Sequence, residues 1–144
     1  MFQFWCIGCG ILYIVNFMEG FFMLKVVIAG YRNFDNYDVL KEYVDACLTE
    51  FEQQEFTIIS GHCKGVDLMG ERYAKEKGHS LEIYPADWKK YGRAAGPIRN
   101  KQMAENTDIL IAFTCDKATG TKNMISNAKR LDKKIFIKDI GELV

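Results

Sequence analysis

A chain of 144 residues that is 49% hydrophobic and 26% charged is long enough for one domain with a real core, and too ordinary in composition for a fibrous or disordered protein. Nineteen basic and nineteen acidic side chains cancel, so the basic excess of a dedicated nucleic-acid binder is missing and nucleic acid is not an expected partner. Five cysteines, odd in number and irregularly spaced, specify no disulfide framework and fit reduced thiols in a cytoplasmic protein.

The first 24 residues stand apart. Glu19 is their only charge, and aromatic and aliphatic side chains fill most of the rest. A secretory signal would need a basic start and a small-residue cleavage site, and neither is there. A membrane anchor would need about 20 uninterrupted apolar residues, whereas Asn16, Glu19 and Gly20 break the run. The reading preferred is a hydrophobic extension over residues 1–22, outside the fold, with a single domain over 23–144. A membrane is then not an expected partner unless residues 1–22 are a genuine anchor. Cys6-x-x-Cys9 has redox or zinc spacing, but no second ligand pair completes it and no metal site is expected.

Residues 25–29 form a β-branched run ending at Gly30, which predicts a central strand. Val39, Leu40, Tyr43, Val44, Cys47, Leu48 and Phe51 then recur at helical spacing behind Asn36, a residue suited to cap the helix. A second strand is predicted over 56–59, followed by the turn Ser60-Gly61-His62-Cys63-Lys64-Gly65-Val66-Asp67. A helix follows to Gly78, with Asp67 read as either its cap or a ribose contact. A third strand over 80–84 leads to a long connection over 86–96, which contains Trp88, Tyr91 and Arg93. Pro97 suits the start of a helix. A fourth strand over 108–114, a helix from Gly120-Thr121 to Leu131 and a fifth strand over 134–138 complete the pattern.

Strand and helix alternate from residue 24 onward. This predicts an α/β, Rossmann-like, doubly wound parallel sheet of about five strands with helices on both faces and the order 3-2-1-4-5. In such a fold ligands bind at the C-terminal edge of the strands, where the strand order reverses. Gly30, Tyr31 and Arg32 fall at that edge, as do Ser60, Gly61, His62, Lys64, Gly65 and Asp67. Arg99 and Asn100 come from a third loop, and Asp116, Gly120 and Thr121 from a fourth. Glycine turns and helix N-termini ringed by cations suit a phosphate-bearing guest. No Gly-Lys-Ser/Thr phosphate loop, Gly-x-Gly-x-x-Gly fingerprint, His-Glu-x-x-His or Gly-x-Ser-x-Gly occurs.

Five segments in order resemble the YspA-related SLOG family, Rossmann-like domains akin to the LOG and DprA proteins. They are Gly30-Tyr31-Arg32, Ser60-Gly61-x-x-x-Gly65-Val66-Asp67, Ala86-Asp87-Trp88, Gly96-Pro97-x-Arg99-Asn100-x-x-Met103 and Gly120-Thr121-x-Asn123-Met124-Ile125. The resemblance implies binding of a nucleotide or nucleotide-derived ligand at the glycine-rich edge, as in a sensor, with no bound cofactor. The alternative it implies is a nucleotide N-glycosidic hydrolase or transferase. LOG enzymes, however, carry Pro-Gly-Gly-x-Gly-Thr-x-x-Glu with a catalytic Glu. Here Asp116-Lys117-Ala118 replaces Pro-Gly-Gly, and Met124 stands where the Glu would be. A thioether does no acid–base chemistry, leaving Asp67 and Asp116 as the candidate carboxylates. A DprA-like single-strand binder is a third reading, and related folds often pair, which points to a homodimer.

Overall fold

The computed structural model describes residues 23–144. The expected extension over 1–22, with Cys6 and Cys9, lies outside the described residues. The five predicted strands form one parallel sheet: β1 (Met23–Gly30), β2 (Glu55–Ser60), β3 (Ser80–Ile83), β4 (Ile109–Thr114) and β5 (Lys134–Asp139). Their order is β3-β2-β1-β4-β5, the one anticipated from the alternation.

β1 pairs with β2 on one side and β4 on the other, so both its faces are covered. Its side chains alternate between two cores, as strand geometry requires. Val26 and Ile28 face one core, shared with Leu40 and Val44 of α1 (Tyr37–Leu48) and with Tyr73 and Ala74 of α2 (Val66–Lys77). Val27 and Ala29 face the other, shared with Met103 and Ala104 of a helix over Ala95–Asn106 and with Met124 and Ala128 of a helix over Thr119–Arg130. All of Val26, Val27 and Ile28 are fully buried, which explains why the run is continuously apolar rather than alternating.

Asn36 caps α1 as expected, its side chain accepting the Val39 N–H at 3.2 Å. The helical periodicity through Phe51 overshoots, because α1 ends at Leu48 and a 3₁₀ turn covers Thr49–Phe51. Gly78 closes α2 in the left-handed conformation, with φ 73°. The connection over 86–96 is less irregular than expected. It holds a short helix, α3 (Trp88–Tyr91), capped by Asp87 accepting the Lys90 N–H at 3.0 Å, and a 3₁₀ turn over Gly92–Ala94. The next helix, α4 (Ala95–Asn106), therefore begins two residues before Pro97. Proline is tolerated there because the first turn has no intrahelical acceptor for its N–H groups. α5 (Thr119–Arg130) follows β4.

From β1 the chain leaves toward α1 on one face, and from β4 toward α5 on the other. The two C-terminal ends thus diverge and open a crevice. At its base Gly30 lies opposite Phe113. A Cβ on Gly30 would stand 2.6 Å from the Phe113 carbonyl oxygen and 2.7 Å from Val66 Cγ2. Backbone cannot yield as a flexible side chain can, so Gly30→Ala should cost about 2–3 kcal/mol. The check is a lower urea midpoint with an unchanged denaturant slope.

Candidate functional site

The crevice widens into a cavity of about 540 Å³. β1 and its loop supply Gly30, Tyr31 and Arg32. The turn after β2 supplies Cys63 and Asp67. Trp88, Arg99 and Asn100 come from α3 and α4, and Lys117, Gly120, Thr121 and Met124 from the loop after β4 and the start of α5. Three cations thus line the cavity against one acid, Asp67.

At its base, Arg99 and Asp67 are both buried, 8% and 6% exposed. Arg99 does not reach the surface acid Glu105, which pairs with Lys101 instead. Its Nη1 donates to the Gly61 carbonyl, its Nε donates to Asn100 Oδ1 at 3.1 Å, and its Nη2 lies 3.7 Å from Cys63 Sγ. A Cβ on Gly61 would come 2.6 Å from Arg99 Nη1 and 2.8 Å from Asp67 Oδ2. Gly61 is therefore glycine because a guanidinium and a carboxylate crowd it, as well as because it lies in a turn.

Asp67 does not cap α2. The capping position is Gly65, whose φ of 86° places its backbone in a conformation unfavourable to other residues. The Asp67 carboxylate turns back and accepts the N–H groups of Cys63, at 3.3 Å, and Gly30. Burial pushes its pKa up to about 6, against the pull of those N–H groups and of Arg99.

The remaining residues of the first glycine turn do not line the main cavity. The buried Ser60 hydroxyl donates to Glu71 Oε1 at 2.8 Å and accepts the His62 N–H at 3.0 Å. His62 has φ 57° and its Nδ1 lies 2.8 Å from the same Glu71 oxygen. Ser60 and His62 thus brace the turn, and the contact expected of them with the guest is made instead with Glu71. Gly61 acts through its carbonyl, which Arg99 holds. Lys64 and Gly65 line a separate, smaller hollow that also contains Arg32. Asp116 lines neither hollow, and its carbonyl accepts from Lys122 Nζ at 2.9 Å. Its carboxylate stays in solvent because the chain only turns inward at Ala118, the buried residue that precedes α5.

At the opposite wall, Asn100 Nδ2 donates to the Gly120 carbonyl at 3.2 Å and to Asn123 Oδ1 at 3.1 Å, fixing the start of α5 against α4. Among the described residues the N–H groups of Gly120 and Thr121 have no backbone acceptor, and no side chain caps α5. Thr121 is 6% exposed and lines the cavity. Lys117, Asn123 and Met103 also line the cavity; Asn123 and Met103 stand in the quoted motifs, but none of the three was expected as a site residue. Lys117 could have been found from its place three residues before Gly120. The other two lie on helix faces that only the packing reveals.

A parallel sheet in this order with a cavity at its reversal point defines a Rossmann-like α/β domain. Residues 24–91 match the family described as YspA, cpYpsA-related SLOG. It is 26% identical over 116 residues to the Gene 61 protein of Mycobacterium phage D29, an alignment covering 75% of this chain and 90% of the phage protein. The fold is shared with DNA processing protein A (DprA) from Streptococcus pneumoniae, at a TM-score of 0.64 and 15% identity over 81% of this chain. This chain spans only 50% of that DprA chain. It is shared also with TM1055, a structural-genomics target, at a TM-score of 0.56 and 19% identity, covering 78% of this chain and 72% of the other. No helix among the described residues is long and apolar enough to cross a membrane.

The raised pKa of Asp67 gives a sign to stability. The unfolded carboxyl ionises near 3.8 and the folded one near 6, so folding holds a proton that the unfolded chain has released. The associated stability is fully present below about pH 4 and is lost as pH rises to about 6.5, by roughly 2–3 kcal/mol. Urea unfolding of wild type and Asp67→Asn across that range should show the wild type losing ground to the variant as pH rises. Parallel profiles would show that Asp67 titrates normally.

Proposed function

We propose that the cavity binds a nucleotide or nucleotide derivative, with phosphate at the start of α5. The observation that carries this reading is the pair of unpartnered N–H groups at Gly120 and Thr121, opening beside the Thr121 side chain onto a cavity lined by Arg32 and Lys117. Neither cation forms an ion pair among the described residues. A helix N-terminus with free cations is complementary to phosphate. The volume lies in the range of small-molecule sites. Trp88, 58% exposed and lining the cavity, offers a face for a base.

Arg99, expected as a direct phosphate partner, is largely committed to Gly61 and Asn100. The direct cationic role therefore passes to Arg32 and Lys117, and Arg99 organises the floor. Asp67 faces the cavity and is suited to a ribose hydroxyl.

A second reading, N-glycosidic cleavage of a nucleotide, is favoured by one feature: a cavity carboxyl with a pKa near 6 is poised for acid–base work. Against it, Met124 lines the cavity where LOG enzymes have their Glu, and Asp116 lies outside. Binding without turnover is the better-supported outcome.

A thermal-shift screen of nucleotides tests both readings, because a bound guest stabilises the fold by mass action. Hits should produce no free base. Release of base that disappears in Asp67→Asn would establish the hydrolase instead. Gly120→Ala is the informative variant for binding, since a Cβ there meets nothing within 4 Å and the fold should accept it. It should keep or raise the melting temperature yet weaken the hit about tenfold by crowding the phosphate. Arg32→Ala should weaken the same hit by about 1.5–3 kcal/mol through loss of a charged hydrogen bond. Unchanged affinity in both would remove phosphate from this wall.

A further inference from the structure

We propose that the smaller hollow beside the cavity holds the distal part of the same ligand, which would then be a nucleoside 5′-diphosphate conjugate rather than a mononucleotide. This rests on the nucleotide reading of the main cavity and extends it. The hollow measures about 290 Å³, and Arg32 lines it as well as the main cavity. Arg32 is thus common to both spaces, where a chain of two phosphates would pass from one to the other.

Lys64 is the second cation of this hollow. Several surface cations of the chain, such as Lys25, Arg72 and Lys77, find acids within 4.0 Å. Lys64 and Arg32 do not, although Asp35 lines the same hollow. Two unpaired cations on a common wall repel each other, and an anion between them relieves that repulsion. The wall itself is fixed by backbone. A Cβ on Gly65 would stand 2.5 Å from the Arg32 carbonyl oxygen and 2.7 Å from that of Tyr31, so the loops after β1 and β2 are in direct contact. The spacing of the two hollows is therefore built into the fold.

The other polar groups indicate what lies beyond the second phosphate. Asp35 would repel a further anion, whereas its carboxylate can accept hydrogen bonds from hydroxyl groups and the Asn33 amide can donate to them. The arrangement suits a sugar or other polyol attached through the diphosphate. Phe34, 1% exposed, and Met69 supply the apolar part of the lining.

Calorimetric titration of the full chain with AMP, ADP and ADP-ribose, and with UMP, UDP and UDP-glucose, tests the proposal. At least one conjugate should bind about tenfold or more tightly than its monophosphate, and only the conjugate should shift the backbone amide resonances of residues 64–69. Lys64 is exposed and makes no hydrogen bond or ion pair among the described residues, so Lys64→Ala should fold normally. It should bring the conjugate to within about threefold of the monophosphate and leave the monophosphate unchanged. Equal binding of monophosphates and conjugates by wild type, or equal weakening of both by Lys64→Ala, overturns the second subsite and spares the nucleotide reading. Binding by none of these nucleotides overturns both.

Discussion

The structure turns on a buried guanidinium and a buried carboxylate that flank a bare glycine. Arg99 of α4 reaches the carbonyl of Gly61 in the turn after β2, and Asp67 at the start of α2 lies beside the same glycine. Burying two charges costs several kcal/mol unless each is matched by the other and by hydrogen bonds. Here Arg99 donates to Gly61 and Asn100 while Asp67 accepts backbone N–H groups, and burial still holds the carboxyl above its ordinary pKa. That knot joins elements from opposite faces of the sheet. Without it the loop after β2 and the helix after β3 would be neighbours through space alone.

The knot also divides the labour among the charged residues. Arg99, which serves the fold, is buried and engaged, whereas Arg32, Lys64 and Lys117 are exposed and form no ion pair among the described residues. Zero net charge in the whole chain conceals this local imbalance. Met124 completes the contrast with the LOG motif: it occupies the wall of the cavity, 1% exposed, and offers packing where that motif has its Glu.

The sheet order, both faces and the edge where the loops meet were legible in the sequence, because buried parallel strands are continuous apolar runs and Gly30, Gly61 and Gly65 punctuate their ends. Direction within the turns was not legible. Asp67 read as a cap because caps are usually acidic or hydroxylic, yet Gly65 holds that position through its positive φ and frees the carboxylate to turn inward. Ser60 and His62 read as ligand donors, but a buried Glu71 from the middle of α2 claims both. Lys64 read as part of the first cradle, and one change of backbone direction at Gly65 carries it to the next. Such outcomes depend on single dihedral angles and on partners far along the chain, neither of which leaves a periodic trace.

Tying the crevice at its floor has a bearing on how a guest would come and go. The two walls are stitched together by Arg99 below and by the Asn100 contacts with Gly120 and Asn123 above, so they have little freedom to hinge apart. What stands over the opening is α3, four residues long, with Trp88 resting against Gly96 and mostly in solvent. A guest would therefore pass one exposed indole on its way in and out, between walls held at a fixed spacing.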